Sequence, residues 1–130
     1  RSTLKLPAIV RDKINLVGGE IMTRKGPVFN TAVVSGTMAA KATSALIPFC
    51  HPISIENCTI DIAMSEDKSA VHIECCVSLN GKTGVEMEAM TGASVSALTV
   101  YDMLKGLSHD ISIESTKLVH KSGGKSKFDR

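Results

Sequence analysis

The sequence predicts an α+β domain in which two helices pack on one face of an antiparallel four-stranded sheet. Three observations lead there. Two runs of apolar alternation, Ile55 to Met64 and Ala70 to Leu79, flank the polar turn Ser65-Glu66-Asp67-Lys68 and read as a β-hairpin. The stretch from Gly81 to Gly106 contains no proline and carries helical periodicity throughout, so it reads as one long helix. β-branched runs at Val28 to Ser35 and Ile111 to Val119 supply the two remaining strands.

Taken in order, Arg1 to Arg24 gives weak signals and is expected to be irregular, with a turn at Gly18-Gly19. The chain starts at Arg1 without a methionine, which reads as a piece of something longer. Val28 to Ser35, VFNTAVVS, is expected to be a strand ending at Gly36. Thr37 to Ile47 places Met38, Ala42, Ala45 and Leu46 on one face of a short helix stopped by Pro48, and the loop PFCHP is pinned by proline at both ends. In the hairpin, Cys58, Ile60, Ile62 and Met64 face inward with Val71, Ile73, Cys75, Val77 and Leu79. Strand, helix, strand, strand, helix, strand is the split βαβ, or ferredoxin-like, order. The expected division is an N-terminal segment over 1–24, the domain over 25–120 and a flexible basic tail over 121–130. Thr59, Asp61, His72, Glu74 and Cys76 would lie on the other face of the sheet, either solvated or covered by the N-terminal segment or a partner chain.

The long helix opens with Asn80-Gly81 and a capping box, Thr83 with Glu86, and closes at Lys105-Gly106. Met87, Met90, Thr91, Ser94, Val95, Leu98, Tyr101, Asp102 and Lys105 share one side. The adjacent stripe of Ala89, Gly92, Ala93, Ser96 and Ala97 is small enough for close approach of another element. At about 1.5 Å per residue, Met87 and Asp102 lie roughly 22 Å apart. A single site using both ends requires two copies of the chain.

At 130 residues, 43% hydrophobic and 22% charged, the chain is one globular domain, and with 3% aromatics its core must be aliphatic. No apolar run reaches the roughly 20 residues of a membrane span and no signal peptide is visible. A net charge of +2 gives no argument for nucleic acid or membrane, although Arg24-Lys25 and the tail KSGGKSK concentrate positive charge. Cys50, Cys58, Cys75 and Cys76 lack framework spacing and are expected as free thiols in a reducing compartment.

Each candidate site has a plain alternative. Gly81-Lys82-Thr83 suggests a phosphate loop, but the glycine needed five residues earlier is Cys76 inside a strand. The cysteines and His51, His72, His109 and His120 show no short ligand spacing, so no metal is expected. His51, held extended before Pro52, reads either as a surface residue or as an anion or proton handler. Asp102 and Lys105 read either as a surface ion pair or as an acid–base pair tuned by desolvation beside Val95, Leu98 and Tyr101. Lys121 and Lys125, with glycines between them, read either as a solvated tail or as a phosphate clamp.

KGPV (Lys25 to Val28), AAKATSALIPFCHPI (Ala39 to Ile53), GKTGVEMEAMTGASVSALTVYDMLK (Gly81 to Lys105) and KSGGKS (Lys121 to Ser126) together resemble the molybdenum cofactor biosynthesis protein C family, the cyclic pyranopterin monophosphate synthases. The resemblance implies a ferredoxin-like subunit in a homohexamer, a trimer of dimers with sites at the dimer interface. It implies a GTP-derived cyclic nucleotide triphosphate as substrate, a pyranopterin with a cyclic phosphate as product, loss of diphosphate, and no cofactor. Asp102 and Lys105 match the family's acid–base pair and Lys25 the lysine of its KG motif, the next candidate acid. Phe49, Cys50 and His51 match a substrate-binding loop, and Met87 and Glu88, assisted by Glu86, a second segment facing the guanine-like donors. Lys121 and Lys125 would close over phosphates. Other enzymes of the pathway are implied partners, and the implied location is cytoplasmic, or the mitochondrial matrix in a eukaryote. Pro27 stands where the family usually has aspartate, and Arg1 falls near a family arginine. Two rival readings are a non-catalytic nucleotide-binding module and an RNA-recognition domain, which would need stacking aromatics where this chain has Thr59, His72 and Glu74.

Overall fold

The structure, a computed structural model, describes residues 1–130. The chain enters the sheet at once. Ser2 and Leu4 are fully buried while Lys5 is exposed, and this short alternation forms β1 (Ser2–Lys5). The segment before Lys25 is therefore not irregular, since it continues through α1 (Ala8–Lys13), β2 (Asn15–Val17) and β3 (Glu20–Thr23). A four-residue strand carries too little pattern to stand out locally. β1 is specified by two neighbours that pair with both its edges and satisfy its backbone groups. Gly18 and Gly19, at φ 59° and 81°, form the two-residue β2–β3 turn, where two successive left-handed residues suit the strand twist.

β4 (Gly26–Pro27) pairs with β3, and α2 (Val28–Lys41) follows directly. This corrects both the strand expected at Val28 to Ser35 and the separate helix expected from Thr37. Val28, Thr31, Val33 and Val34 look strand-like in isolation because branching at Cβ disfavours helix slightly. Burial decides otherwise: Val28, Phe29, Ala32, Gly36, Ala39 and Ala40 recur at helical spacing and are the residues removed from water. α3 (Thr43–Leu46) adds one turn and ends at an extended Ile47, the conformation favoured before Pro48.

β5 (Asn57–Met64) and β6 (Ala70–Ser78) form the expected hairpin in the expected register of faces. Ile60, Val71, Ile73 and Cys75 are buried, with Cys58, Ile62, Met64 and Val77 packed beside them. α4 (Glu86–Leu104) is the long helix, of 19 residues. β7 (Ser112–Thr116) occupies the middle of the run expected as the last strand. β8 (His120–Lys121) and β9 (Phe128–Asp129) pair with each other, so the expected tail folds back on itself through left-handed Gly123 and Gly124.

The main sheet has the order β5-β6-β1-β7, with every neighbouring pair antiparallel. The fold is thus α+β with an antiparallel four-stranded sheet, and β1 supplies the strand that was expected at Val28 to Ser35. The small stripe of α4 fulfils its expected role: Gly92, Ala93, Ser96 and Ala97 are buried, and a Cβ added at Gly36 of α2 would fall 2.8 Å from the Gly92 carbonyl oxygen. On the opposite face of the sheet, Thr59, Asp61, His72, Glu74 and Cys76 are exposed, and the Arg1 guanidinium donates to Glu74 at 2.7 Å. All four cysteines are free thiols.

Candidate active site

The C-terminal end of α4 presents Asp102 and Lys105 on the same face, one turn apart. Lys105 Nζ lies 2.7 Å from Asp102 Oδ1, and Lys25 Nζ lies 3.9 Å from Oδ2. One carboxylate is therefore held between two ammonium groups, one on each oxygen. Lys25 reaches this point from the β3–β4 turn. There Thr23 Oγ1 donates to the Gly26 carbonyl at 2.9 Å and accepts the Lys25 N–H at 3.2 Å, and Gly26 adopts φ 112°.

The side chains of Lys25, Asp102 and Lys105 are 62%, 56% and 49% exposed, so water still reaches all three. The hydrogen bond from Lys105, then the charges of Lys105 and Lys25, hold the Asp102 carboxyl below the usual range. The same hydrogen bond raises Lys105. Within one chain the hydrogen bond and then the charges set both shifts, with desolvation a smaller, opposing cause. The pair's apolar neighbour Leu98 is itself 55% exposed. In the resting arrangement the pairing stabilises the charged forms of Asp102 and Lys105, so proton transfer would require a ligand to loosen it.

The other end of α4 is built differently from expectation. Val85 occupies the N-cap without a side-chain bond, and Thr83 makes no capping box with Glu86. The Glu86 carboxylate instead takes the ammonium of Lys121, the stronger partner, and this bond is the first cause of its lowered pKa. A groove of about 470 Å³ opens here between the end of β6, the start of α4 and Lys117 to Gly124. Met87 is 38% exposed near it, and Glu88 is buried at 4%. Lys125 is exposed.

The loop after α3 carries Phe49, 96% exposed, a half-buried Cys50 and an exposed His51. No hydrogen bond or ion pair joins it to either end of α4. The structure thus unites Lys25 with Asp102 and Lys105, and Glu86 with Lys121. It bonds the Phe49–His51 loop to neither cluster, although α3 before that loop packs against α4, and within one copy Met87 and Asp102 lie roughly 22 Å apart along the helix. No group of three His, Cys, Asp or Glu side chains converges in a way that could hold a metal ion. No helix is long and apolar enough to cross a membrane.

Sequence reasoning passed over Glu20. Its Oε1 accepts the Ile21 N–H at 2.7 Å and the Phe29 N–H at 2.8 Å, while Oε2 accepts the Asn30 N–H at 2.9 Å. The signal that could have found it is the absence of any capping side chain at Pro27, which obliges the first turn of α2 to find an acceptor elsewhere.

A carboxylate between two lysines at the end of a long helix, on an α+β frame, is a charged cluster of the class that offers both a proton acceptor and cations to a ligand. The chain belongs to the MoaC family, which it matches over residues 4–124. It is 61% identical over 107 residues to the molybdenum cofactor biosynthesis protein 1 of Dictyostelium discoideum, covering 82% of this chain and 17% of that protein. It is 49% identical to the molybdenum cofactor biosynthesis bifunctional protein of a Synechocystis strain, over 94% of this chain and 35% of the relative. A protein of Xanthomonas oryzae named cyclic pyranopterin monophosphate synthase is also 49% identical, over 95% of this chain and 73% of its own length. The chain therefore spans a minor part of the first two relatives and most of the third.

Proposed function

We propose that this chain is a cyclic pyranopterin monophosphate synthase of molybdenum cofactor biosynthesis. It converts (8S)-3',8-cyclo-7,8-dihydroguanosine 5'-triphosphate to cyclic pyranopterin monophosphate and releases diphosphate. Kinship with the Xanthomonas synthase supports the reading, and the Lys25–Asp102–Lys105 cluster is the observation that carries it. Ring opening and reclosure require a proton to be taken from one atom and given to another. Asp102, ionised between its lysines, takes it; Lys105 and Lys25, both cationic, return it. Closure of the cyclic phosphate joins a substrate hydroxyl oxygen to the α-phosphorus and breaks the bond to the departing diphosphate. Negative charge then grows on phosphate oxygens, which cations stabilise.

In this reading His51, Lys121 and Lys125 bind phosphates, and Phe49 and Cys50 complete their loop. Met87 and Glu86 receive the guanine-like end, where a carboxylate suits N–H donors, and Glu88, 4% exposed, joins them only by turning outward. Lys121 exchanges its Glu86 partner for phosphate as ligand enters. The division at residue 25 does not hold as a folding boundary, because β1 lies between β6 and β7; the catalytic unit is the fold from β1 through the tail lysines, and it uses no cofactor. The strand order β5-β6-β1-β7, with α2 and α4 as crossovers, supports a ferredoxin-like subunit. The separation of the site halves supports a homohexamer built as a trimer of dimers. Other enzymes of the pathway are its expected neighbours, in the cytoplasm or, in a eukaryote, the mitochondrial matrix.

The test supplies pure protein with the cyclic nucleotide and follows diphosphate and pterin together. Asp102→Asn should lower turnover by about a hundredfold or more and leave the solution mass unchanged. Wild-type protein that binds the triphosphate and returns it intact would instead be a nucleotide-binding module.

A further inference from the structure

We propose that Glu20 is a positioning residue for the reaction centre, clamping the base of the turn that delivers Lys25 to Asp102. This rests on reading Lys25 as part of that centre. Glu20 opens β3, five residues before Lys25, and its carboxylate reaches across to the N–H groups of Phe29 and Asn30 at 2.8 and 2.9 Å. Lys25 stands midway in the segment thus closed. Within it, the β3–β4 ladder pairs Met22 with Pro27 and Thr23 with Gly26. Ile21, 1% exposed, and Val28 and Phe29, 0% and 7% exposed, anchor the two ends in the core.

The interaction is the kind that fixes position. An ionised carboxylate accepting N–H groups at a helix start makes short, directional bonds and complements the helix dipole. Pro27 supplies no cap of its own, so Glu20 is the side-chain acceptor for this turn of α2. By contrast, the Lys25 ammonium is 62% exposed and touches Asp102 only at 3.9 Å, too long and too wet to hold itself in place. A catalytic group displaced by about 1 Å loses much of its rate. The Glu20 clamp therefore does for the Lys25 backbone what the helix does for that of Lys105: it fixes the point from which the side chain reaches Asp102.

The experiment is a double-mutant cycle on the full chain with the cyclic nucleotide as substrate. Glu20→Ala should reduce kcat by about tenfold or more with a smaller change in KM. In a Lys25→Ala background the same change should cost almost nothing further, because the group it positions is gone. Glu20→Gln keeps an oxygen for the Phe29 N–H but loses the acceptor for Asn30, and should fall between wild type and Glu20→Ala; it also serves if the alanine variant fails to fold. An equal loss from the Glu20 change in both backgrounds would overturn the proposal and leave Glu20 a purely structural cap. A second readout needs no substrate: the Asp102 carboxyl, titrated by ¹³C NMR, should move upward in Glu20→Ala as it does in Lys25→Ala. A titration unmoved by Glu20→Gln and Glu20→Ala but moved by Lys25→Ala overturns the clamp, whereas an inactive wild-type protein with the expected titrations refutes only the proposed reaction.

Discussion

Asp67 and Asp102 both sit below the ordinary carboxylate range, held there first by hydrogen bonds, from neutral serines in one case and from a charged lysine in the other. Asp67 is lowered to about 2 by hydrogen bonds from Ser65 and Ser69. Ser65 Oγ and Ser69 Oγ donate at 2.7 Å and Ser69 N–H at 3.0 Å, closing a hairpin turn in which Lys68 is left-handed at φ 59°. A depressed folded value means that the stabilisation is fully present above the unfolded value near 4 and is lost as pH falls through about 2. Thermal melts of Asp67→Ala should therefore show a lowered Tm that is constant between pH 5 and 7, with the gap from wild type closing toward pH 2. A gap that ignores pH would mean that the turn does not depend on the charge. Asp102 is lowered instead by cations, Lys105 first. Removing that hydrogen bond with Lys105→Ala should raise the Asp102 midpoint in a carboxyl ¹³C titration, and an unchanged midpoint would show that the ion pair does not persist in solution. Asp67 was visible in the sequence as a member of a polar turn, and Asp102 as a charged position on the apolar-edged face of the long helix. Only the partners' geometry distinguishes a turn brace from a reactive pair, because Ser65–Asp67–Ser69 is entirely local whereas Lys25 arrives from another element.

Contact between α2 and α4 depends on glycines that place the helix backbones against each other. A methyl group at Gly36 would meet Ser96 Oγ at 2.0 Å, Ile60 Cδ1 at 2.6 Å and the Gly92 carbonyl oxygen at 2.8 Å. Ser96 has little room to yield, since it is fully buried and its hydroxyl donates to the Ala32 carbonyl at 2.9 Å. Alanine is favoured over glycine inside a helix by about 1 kcal/mol, but overpacking a core costs about 1–3 kcal/mol, and here one of the obstacles is backbone. Gly36→Ala should be destabilising by about 1–2 kcal/mol in a denaturant titration, and adding Ser96→Ala should recover part of that loss. Unchanged stability would mean that the helices can separate freely. The small stripe of α4 was legible because five small residues recur on one face. α2 was not, because its first half is β-branched and its cap comes from Glu20 on another element, leaving no start signal at Pro27. β1 was hidden for a related reason: four residues acquire meaning only when β6 and β7 pair with them.

At the scale of the molecule, the length of α4 is the constraint that governs the site. That length was readable from an unbroken run of helical periodicity, and the structure gives Glu86–Leu104. Within one copy, the Lys25–Asp102–Lys105 cluster and the Glu86–Lys121 pair cannot close around the same small ligand, because the helix between them is rigid and about 1.5 Å long per residue. If both clusters serve the proposed reaction, two copies are expected to present opposite ends of α4 to each other. In a two-fold arrangement each copy contributes Asp102 to one site and Met87 to the other. Subunit mixing tests this directly. Asp102→Asn and a Met87→Asp variant, each inactive alone, are unfolded together and refolded as a mixture. If each site draws on two copies, heterodimers carry one doubly damaged site and one intact site, and about a quarter of wild-type activity should return by random pairing. If every site is built within one chain, each copy in the mixture keeps its own lesion and no activity returns. Recovery that rises and falls with the mixing ratio, peaking at equal amounts, would identify the intact sites as those formed between unlike copies.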